Sequence, residues 1–312
     1  MTGIGVQLPV TGVHPSVHGL RTMAQLVERE GAHSVWVSDH VLMVDDASSR
    51  YPGNDDGSTW WDPEDDWYES MTSCAYIAAV TSRVRVGPGV LILPQRNVLE
   101  VAKQVATLDQ LSEGRFILGV GIGWSREETE ALGYPFASRA ARMHEMLEVL
   151  RDARGGRPRE FHGTHVDVPA GVILQPRPVH PSGVPLIVGG EAPAALRRAA
   201  ILGDGWLALA KHQYGPFPLE PLAQGIAAIK GHREALGLEA PFQFVVRLVR
   251  SRPEALPELP ALIDDLAGLG FDEVVIQPPW DDLEDTAEWI RRALSAGSVS
   301  PGGKEVHVHA QS

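Results

Sequence analysis

Asp39 and His40 stand together at the end of a short apolar run, SVWVS at 34–38. A histidine titrates near neutrality, so it can give or take a proton, and an adjacent carboxylate could fix its tautomer or bond a ring held nearby. The same pair could instead be a structural clasp closing a loop. Downstream, Gly119-Val120-Gly121-Ile122-Gly123-Trp124 leaves another apolar run. Its spacing lacks the sixth-position glycine and the prompt helix of a dinucleotide fingerprint. Its glycines offer main chain without Cβ atoms, against which a planar ring can lie, unless the run is only a tight strand exit. Gly87-Pro88-Gly89-Val90 breaks a further run, where glycine and proline mark a bulge or the close approach of a ligand. Gly189-Gly190-Glu191-Ala192-Pro193 leads into a helix whose first turn suits Pro193. Free N–H groups and the helix dipole there would receive a phosphate if Glu191 turns its side chain away. An ordinary strand-to-helix turn is the alternative.

Other chemistry is less well supported. His162/His165 and His307/His309 have metal-like spacings but no third acidic ligand nearby, and the paired aspartates at 45–46, 55–56 and 65–66 read as a solvated acidic loop. No metal is expected. Cys74 falls in a helical stretch and reads as packing, and no nucleophile-elbow or Walker-type loop occurs. Across 312 residues, 27 Lys+Arg face 40 Asp+Glu, a formal net charge of -13. That balance argues against nucleic acid and anionic membrane as partners. One cysteine excludes a disulfide framework. With 44% hydrophobic residues, no signal-like segment and no apolar run of about 18 residues, the expectation is a soluble cytoplasmic protein.

The elements that must hold these residues alternate with a regular rhythm. Strand patterns at 3–10, 34–38, 84–93, 116–121, 185–189, 205–210, 242–249 and 273–277 are each followed by a helical pattern. The helices fall at 17–31, 68–81, 97–111, 140–154, 194–202, 219–236, 258–269 and 286–296, with Asn97 and Glu100 resembling a capping box. Strict alternation predicts an α/β fold, a (β/α)₈ TIM-type barrel with an insertion after strand 2 (42–66) and another before strand 5 (160–185). Residues 1–297 form one domain, and 298–312 read as a mobile tail. In such a barrel the active site lies at the carboxyl ends of the strands. That rule selects Asp39, His40, Gly89, Val90, Gly121–Trp124 and Gly189–Ala192, together with Lys211, His212, Arg250 and Gln277. Both insertions are lid candidates, the first carrying Trp60, Trp61 and Trp67.

The stretch 84–149, with the motifs AKQVATLDQLSEGRF and GVGIGW and the earlier WVSDHV, resembles the luciferase-like monooxygenase family. It is most similar to the branch of deazaflavin-dependent oxidoreductases that use coenzyme F420. With the VGG turn at 188–190 the resemblance spans about residues 3–295. It implies the same barrel and a non-prolyl cis peptide at Gly89–Val90 supporting a flavin-like ring from behind. It further implies Asp39 near the ring's pyrimidine side and His40 near the reacting carbon. Gly121, Ile122 and Gly123 would border the ring, and Gly189, Gly190, Glu191 and Ala192 would receive the cofactor phosphate. One position departs. Where sugar-phosphate dehydrogenases of the family carry a carboxylate after the glycine run, this chain has Trp124, which argues against a sugar-phosphate substrate. Trp60, Trp61 and Trp124 point instead to an aromatic-walled pocket for a larger, less charged organic substrate.

The expectation is hydride transfer between F420 and a small organic substrate, with His40, aided by Asp39, as the catalytic proton carrier. The alternative is a monooxygenase using reduced FMN and oxygen, its cofactor supplied by a separate flavin or deazaflavin reductase. A barrel without cofactor or catalysis is a third reading. The resemblance also implies a possible homodimer.

Overall fold

The computed structural model describes residues 2–12, 16–45, 47–212, 217–249 and 253–296. Arg250, His307, His309 and the tail from 298 onward lie outside the described residues. In chain order the first elements are β1 (Gly3–Leu8), α1 (Val17–Glu30), β2 (Ser34–Val37), α2 (Ser70–Val80), β3 (Arg85–Pro88), β4 (Leu91–Ile92), α3 (Val98–Leu111) and β5 (Leu118–Gly121). They are followed by α4 (Arg126–Ala131), α5 (Arg139–Ala153), β6 (Phe161–His162), β7 (Asp167–Val168), β8 (Leu186–Gly189), α6 (Pro193–Leu202) and β9 (Gly205–Ala210). The last are α7 (Glu220–Ala235), β10 (Gln243–Leu248), α8 (Leu259–Leu269), β11 (Glu273–Ile276) and α9 (Leu283–Leu294).

Strand order is β3-β2-β1-β11-β10-β9-β8-β5-β4, with every neighbouring pair in this sheet parallel. β3 and β4 are halves of one strand interrupted at Gly89–Val90; β4 pairs with β5, and a parallel bridge from Val86 of β3 to Phe116, just before β5, closes the ring. The ring is thus an eight-membered α/β barrel, the architecture that the alternation of elements predicts. The structure adds two details. The third strand is broken in two, and a short helix, α4, stands between the fourth strand and its crossover helix.

Period-two patterning explains the core. Trp36, Ile117, Ile187, Leu207, Val245 and Val275 point inward and pack on one another, with Val90 resting on the group. Their strand neighbours, among them Val35, Val37, Trp206, Ala208, Phe244 and Val246, point outward and join the larger layer beneath the helices. Several helices begin or end where a side chain or a glycine satisfies their free backbone groups. Ser16 accepts from Gly19 N at the start of α1, Gly31 ends it at φ 92°, and Asn97 accepts from Leu99 N and Glu100 N at α3.

The two insertions lie differently. The first leaves β2 and crosses the barrel mouth. The second contains the β6–β7 hairpin and lies along α3 and α5, where Glu145 accepts from Thr164 N, His165 N and Val166 N and Asp109 accepts from Val179 N. None of its described residues lines the mouth cavity, which corrects the expectation of a lid from 160–185. It enters from the amino-terminal end of the barrel and is pinned to the flank before it can reach the top.

Candidate active site

The end of β2 sends Asp39 and His40 in opposite directions, as consecutive residues of an extended chain must go. Asp39 is 4% exposed, and its carboxylate accepts from Ser70 Oγ (2.7 Å), Ile92 N (2.7 Å) and Arg96 Nη2 (2.8 Å). It therefore ties the exit of β2 to the start of α2 and the end of β4. It does not orient His40. That task belongs to Glu128 of α4, whose Oε2 lies 2.7 Å from His40 Nδ1 while its Oε1 accepts from Val41 N at 2.7 Å. Both partners are enclosed, at 7% and 1% side-chain exposure. Desolvation pushes the Glu128 carboxyl upward, but the hydrogen bond and charge of His40 together with Val41 N–H hold its pKa below the usual value. A carboxylate accepting at Nδ1 places the proton there and leaves Nε2 to a bound molecule.

The finding also corrects two sequence expectations. Asp39 does not set the His40 tautomer, and the glycine run, though followed by Trp124, leads promptly into a helix, with Ser125 capping α4 through Glu128 N. α4 has only six residues, too few for a periodic signal.

His40 lines a cavity of about 460 Å³ at the carboxyl end of the barrel, within the range of small-molecule sites. Asp39, Gly89, Val90, Gly121, Ile122, Gly123, Trp124, Gly189, Gly190, Glu191, Trp60 and Trp61 also line it, whereas Ala192 does not. The peptide between Gly89 and Val90 is cis. Val90 explains part of the glycine pattern. A Cβ on Gly121 would lie 2.5 Å from Val90 Cγ2, and one on Gly189 would lie 3.2 Å from Val90 Cγ1. These glycines seat Val90 as well as leaving bare main chain toward the cavity. Gly190 adopts φ 117°, and its carbonyl accepts from Trp206 Nε1 at 2.9 Å. Glu191 does turn away from the start of α6. Its Oε1 accepts from Leu209 N at 2.9 Å, and desolvation against β9 raises its pKa, countered by that hydrogen bond and by Lys211.

Residues 47–69 roof the cavity with aromatic rings. Tyr51 meets Trp60 and Trp61 at 4.9 Å and Trp124 at 5.3 Å between centroids. Trp67 meets Trp61 at 5.3 Å and His40 at 4.8 Å, and Trp124 lies 5.7 Å from His40. Edge-on contacts of this kind stabilise one another and keep a rigid apolar wall beside the imidazole. The roof is fastened on two sides. Glu127 of α4 accepts from Ser48 N, Ser48 Oγ and Ser49 N, and Ser49 and Ser48 hold its pKa down at about 2. On the other side Lys211 pairs with Asp55 at 2.8 Å.

Sequence reasoning missed Glu127, Glu128, Tyr51, Arg139 and Arg247, all in the cavity wall or holding it. Arg247 had a legible signal, a lone charge within the apolar strand QFVVRL. Of the other strand-end residues, Lys211 serves the roof, while His212 and Gln277 are outside the cavity lining. Among the described residues no group of three or more His, Cys, Asp or Glu could hold a metal ion, and no helix is long and apolar enough to cross a membrane.

Known proteins share this architecture and sequence. A Mycobacterium tuberculosis protein of uncharacterised function is 36% identical over 224 residues, 72% of this chain and 74% of that one. The crystal structure of the monooxygenase RslO1 from Streptomyces bottropensis superposes with a TM-score of 0.75 at 18% identity, covering 95% of this chain and 98% of that one. An F420-dependent secondary alcohol dehydrogenase in complex with an F420-acetone adduct gives 0.73 at 17% identity over the same shares. At such identities the two structures show the common barrel. Residues 2–274 match the luciferase-like monooxygenase family, and the chain belongs to that family.

Proposed function

We propose that the chain is an oxidoreductase transferring hydride between coenzyme F420 and a small organic substrate other than a sugar phosphate. The observation that carries the reading is the buried His40–Glu128 pair in the wall of the mouth cavity. The cavity suits a flat ring. Its lining includes the main chain of Gly121–Gly123 and Gly189–Gly190, and Val90 forms its floor. The displaced Glu191 side chain leaves the start of α6 free of a carboxylate where a phosphate would bind. Gly89, Val90, Gly121, Ile122, Gly123, Gly189 and Gly190 would hold the cofactor, with Ala192 at its phosphate end.

The bound deazaflavin would supply the hydride chemistry. The protein's own contribution is positional and acid–base. Glu128 keeps Nδ1 protonated, so Nε2 of His40 can accept a proton from a substrate hydroxyl or, once protonated, return it to an oxygen. The Trp61, Trp67 and Trp124 rings flank the imidazole and exclude water from that side. Their apolar faces favour an organic body over a phosphorylated sugar. Asp39 acts at a distance, by fixing the strand end from which His40 projects.

A second reading is a monooxygenase using reduced FMN and oxygen, with a separate reductase supplying the cofactor. The family and the likeness to RslO1 favour it. Titration of the cofactor-free protein with F420 and with FMN, followed by fluorescence quenching, separates the two. Tighter F420 binding and F420-dependent turnover without oxygen are expected. Tighter FMN binding with oxygen uptake overturns the ranking.

A further inference from the structure

β10 places one more residue in the mouth. Val245 points into the barrel, and Arg247, two residues on, shares its inward face nearer the carboxyl end. Arg247 is 8% exposed and lines the cavity. Its Nη1 donates to Gly89 O across the barrel, but its enclosed Nε has no hydrogen-bond partner. Among the described residues no carboxylate forms an ion pair with it. Asp39 is paired with Arg96, and Glu191 is turned onto Leu209 N. The group of the roof that favours its charge is the Tyr51 phenol, not a carboxylate. A guanidinium remains charged at any working pH, and a buried cation with an unmet donor is among the least favourable arrangements a fold can keep. Charge-assisted hydrogen bonds to an oxygen would relieve both deficits at once.

We propose that Arg247 receives a negatively polarised oxygen, carboxylate or carbonyl, from the small molecule held in the mouth cavity, and so selects what the barrel accepts. This rests on the reading of that cavity as a small-molecule site. The oxygen can come from the substrate or from the carbonyl edge of the flavin-type ring. Arg247 does not take part in proton transfer in this account; it positions the molecule that does.

The test uses Arg247→Met, of similar length without charge, and Arg247→Lys, which keeps a charge without the planar fork. Benzoate and benzyl alcohol serve as probes of the cavity, FMN and F420 as cofactor probes, all read by quenching of tryptophan fluorescence. The unaltered protein is expected to bind benzoate at least ten-fold more tightly than benzyl alcohol, and Arg247→Met to lose that preference. A displaced Gly89 carbonyl would weaken both probes alike, so the ratio, not the affinity, reports the oxygen contact. Lost preference with unchanged cofactor affinity assigns the oxygen to the substrate. A ten-fold fall in FMN or F420 affinity assigns it to the ring. Unchanged ratio and unchanged cofactor affinity in a variant with native circular dichroism overturn the inference, as does an unaltered protein without benzoate preference whose cofactor affinity the variant leaves unchanged. If Arg247→Met does not fold, a three-fold or larger fall of the ratio in Arg247→Lys upholds it and an unchanged ratio overturns it. Should neither FMN nor F420 bind the unaltered protein, the oxidoreductase reading fails, while the benzoate ratio still decides the role of Arg247.

Discussion

The two insertions are fastened by nearly the same chemistry, yet only one reaches the site. Glu127 of α4 gathers Ser48 N, Ser48 Oγ and Ser49 N of the first, and Glu145 of α5 gathers Thr164 N, His165 N and Val166 N of the second. Each is a single carboxylate collecting donors from a loop that lacks regular partners of its own. Their fates differ because of where the chain starts. The first departs from the carboxyl end of β2 and falls directly over the mouth, with Tyr51, Trp60, Trp61 and Trp67 turned toward His40 and Trp124. The second departs from the end of a crossover helix, on the other side of the barrel, and is spent on the flank. Length and prolines make an insertion; the strand end it leaves from makes it a roof.

The sharpest break of the comparison is at the residue the roof converges on. Replacing His40 by Ala should lower turnover by about 10² or more while cofactor affinity, read by quenching, stays within about two-fold. Retained turnover would reduce His40 to scaffold. Glu128→Gln exchanges a charged acceptor for a neutral one and should lower kcat by about ten-fold, with a shifted pH profile, since hydrogen bonds to charged groups exceed neutral ones by about 1 kcal/mol. The paired variants Glu127→Ala and Glu145→Ala test the two fastenings directly. The first should raise KM by about five-fold and increase acrylamide quenching of the tryptophans. The second should leave both unchanged and cost about 1 kcal/mol of stability in denaturant unfolding. Equal effects on KM would erase the distinction between roof and flank.

The smallest effect is on acid stability. Glu127 has its pKa depressed to about 2 from 4.5, so the stabilisation it gives the roof is present above about pH 4.5 and is lost as pH falls toward 2. Tryptophan quenching by acrylamide should rise over that window in the unaltered protein. In Glu127→Gln it should begin higher and change less.

The barrel was legible in the sequence because eight short apolar runs alternate with eight helical patterns, and glycines mark the strand exits. Much of the mouth was legible with it, since the strand-end rule selects His40, Gly89, Val90, Gly121 and Gly189 before any contact is known, and the cavity lining includes each of them. The electrostatics were not legible. Asp39 is adjacent to His40 in the chain, but the strand throws it toward Ser70, Ile92 and Arg96, while the true partner, Glu128, lies 88 positions away on a helix of six residues. The packing of Val90 was likewise hidden. The glycines around it read as open space, and only the folded chain shows that its two methyl groups abut Gly121 and Gly189.

The Asp39 clasp has a further consequence. By joining Ser70, Ile92 and Arg96 it welds two neighbouring βα units into a stiff half of the mouth, whereas the tip of the aromatic canopy is held by Glu127 and Arg126 N at Ser48 and Ser49 and by the exposed Lys211–Asp55 pair. Selection can therefore rewrite residues 50–60, and with them the range of molecules admitted, without disturbing the frame that aims the imidazole.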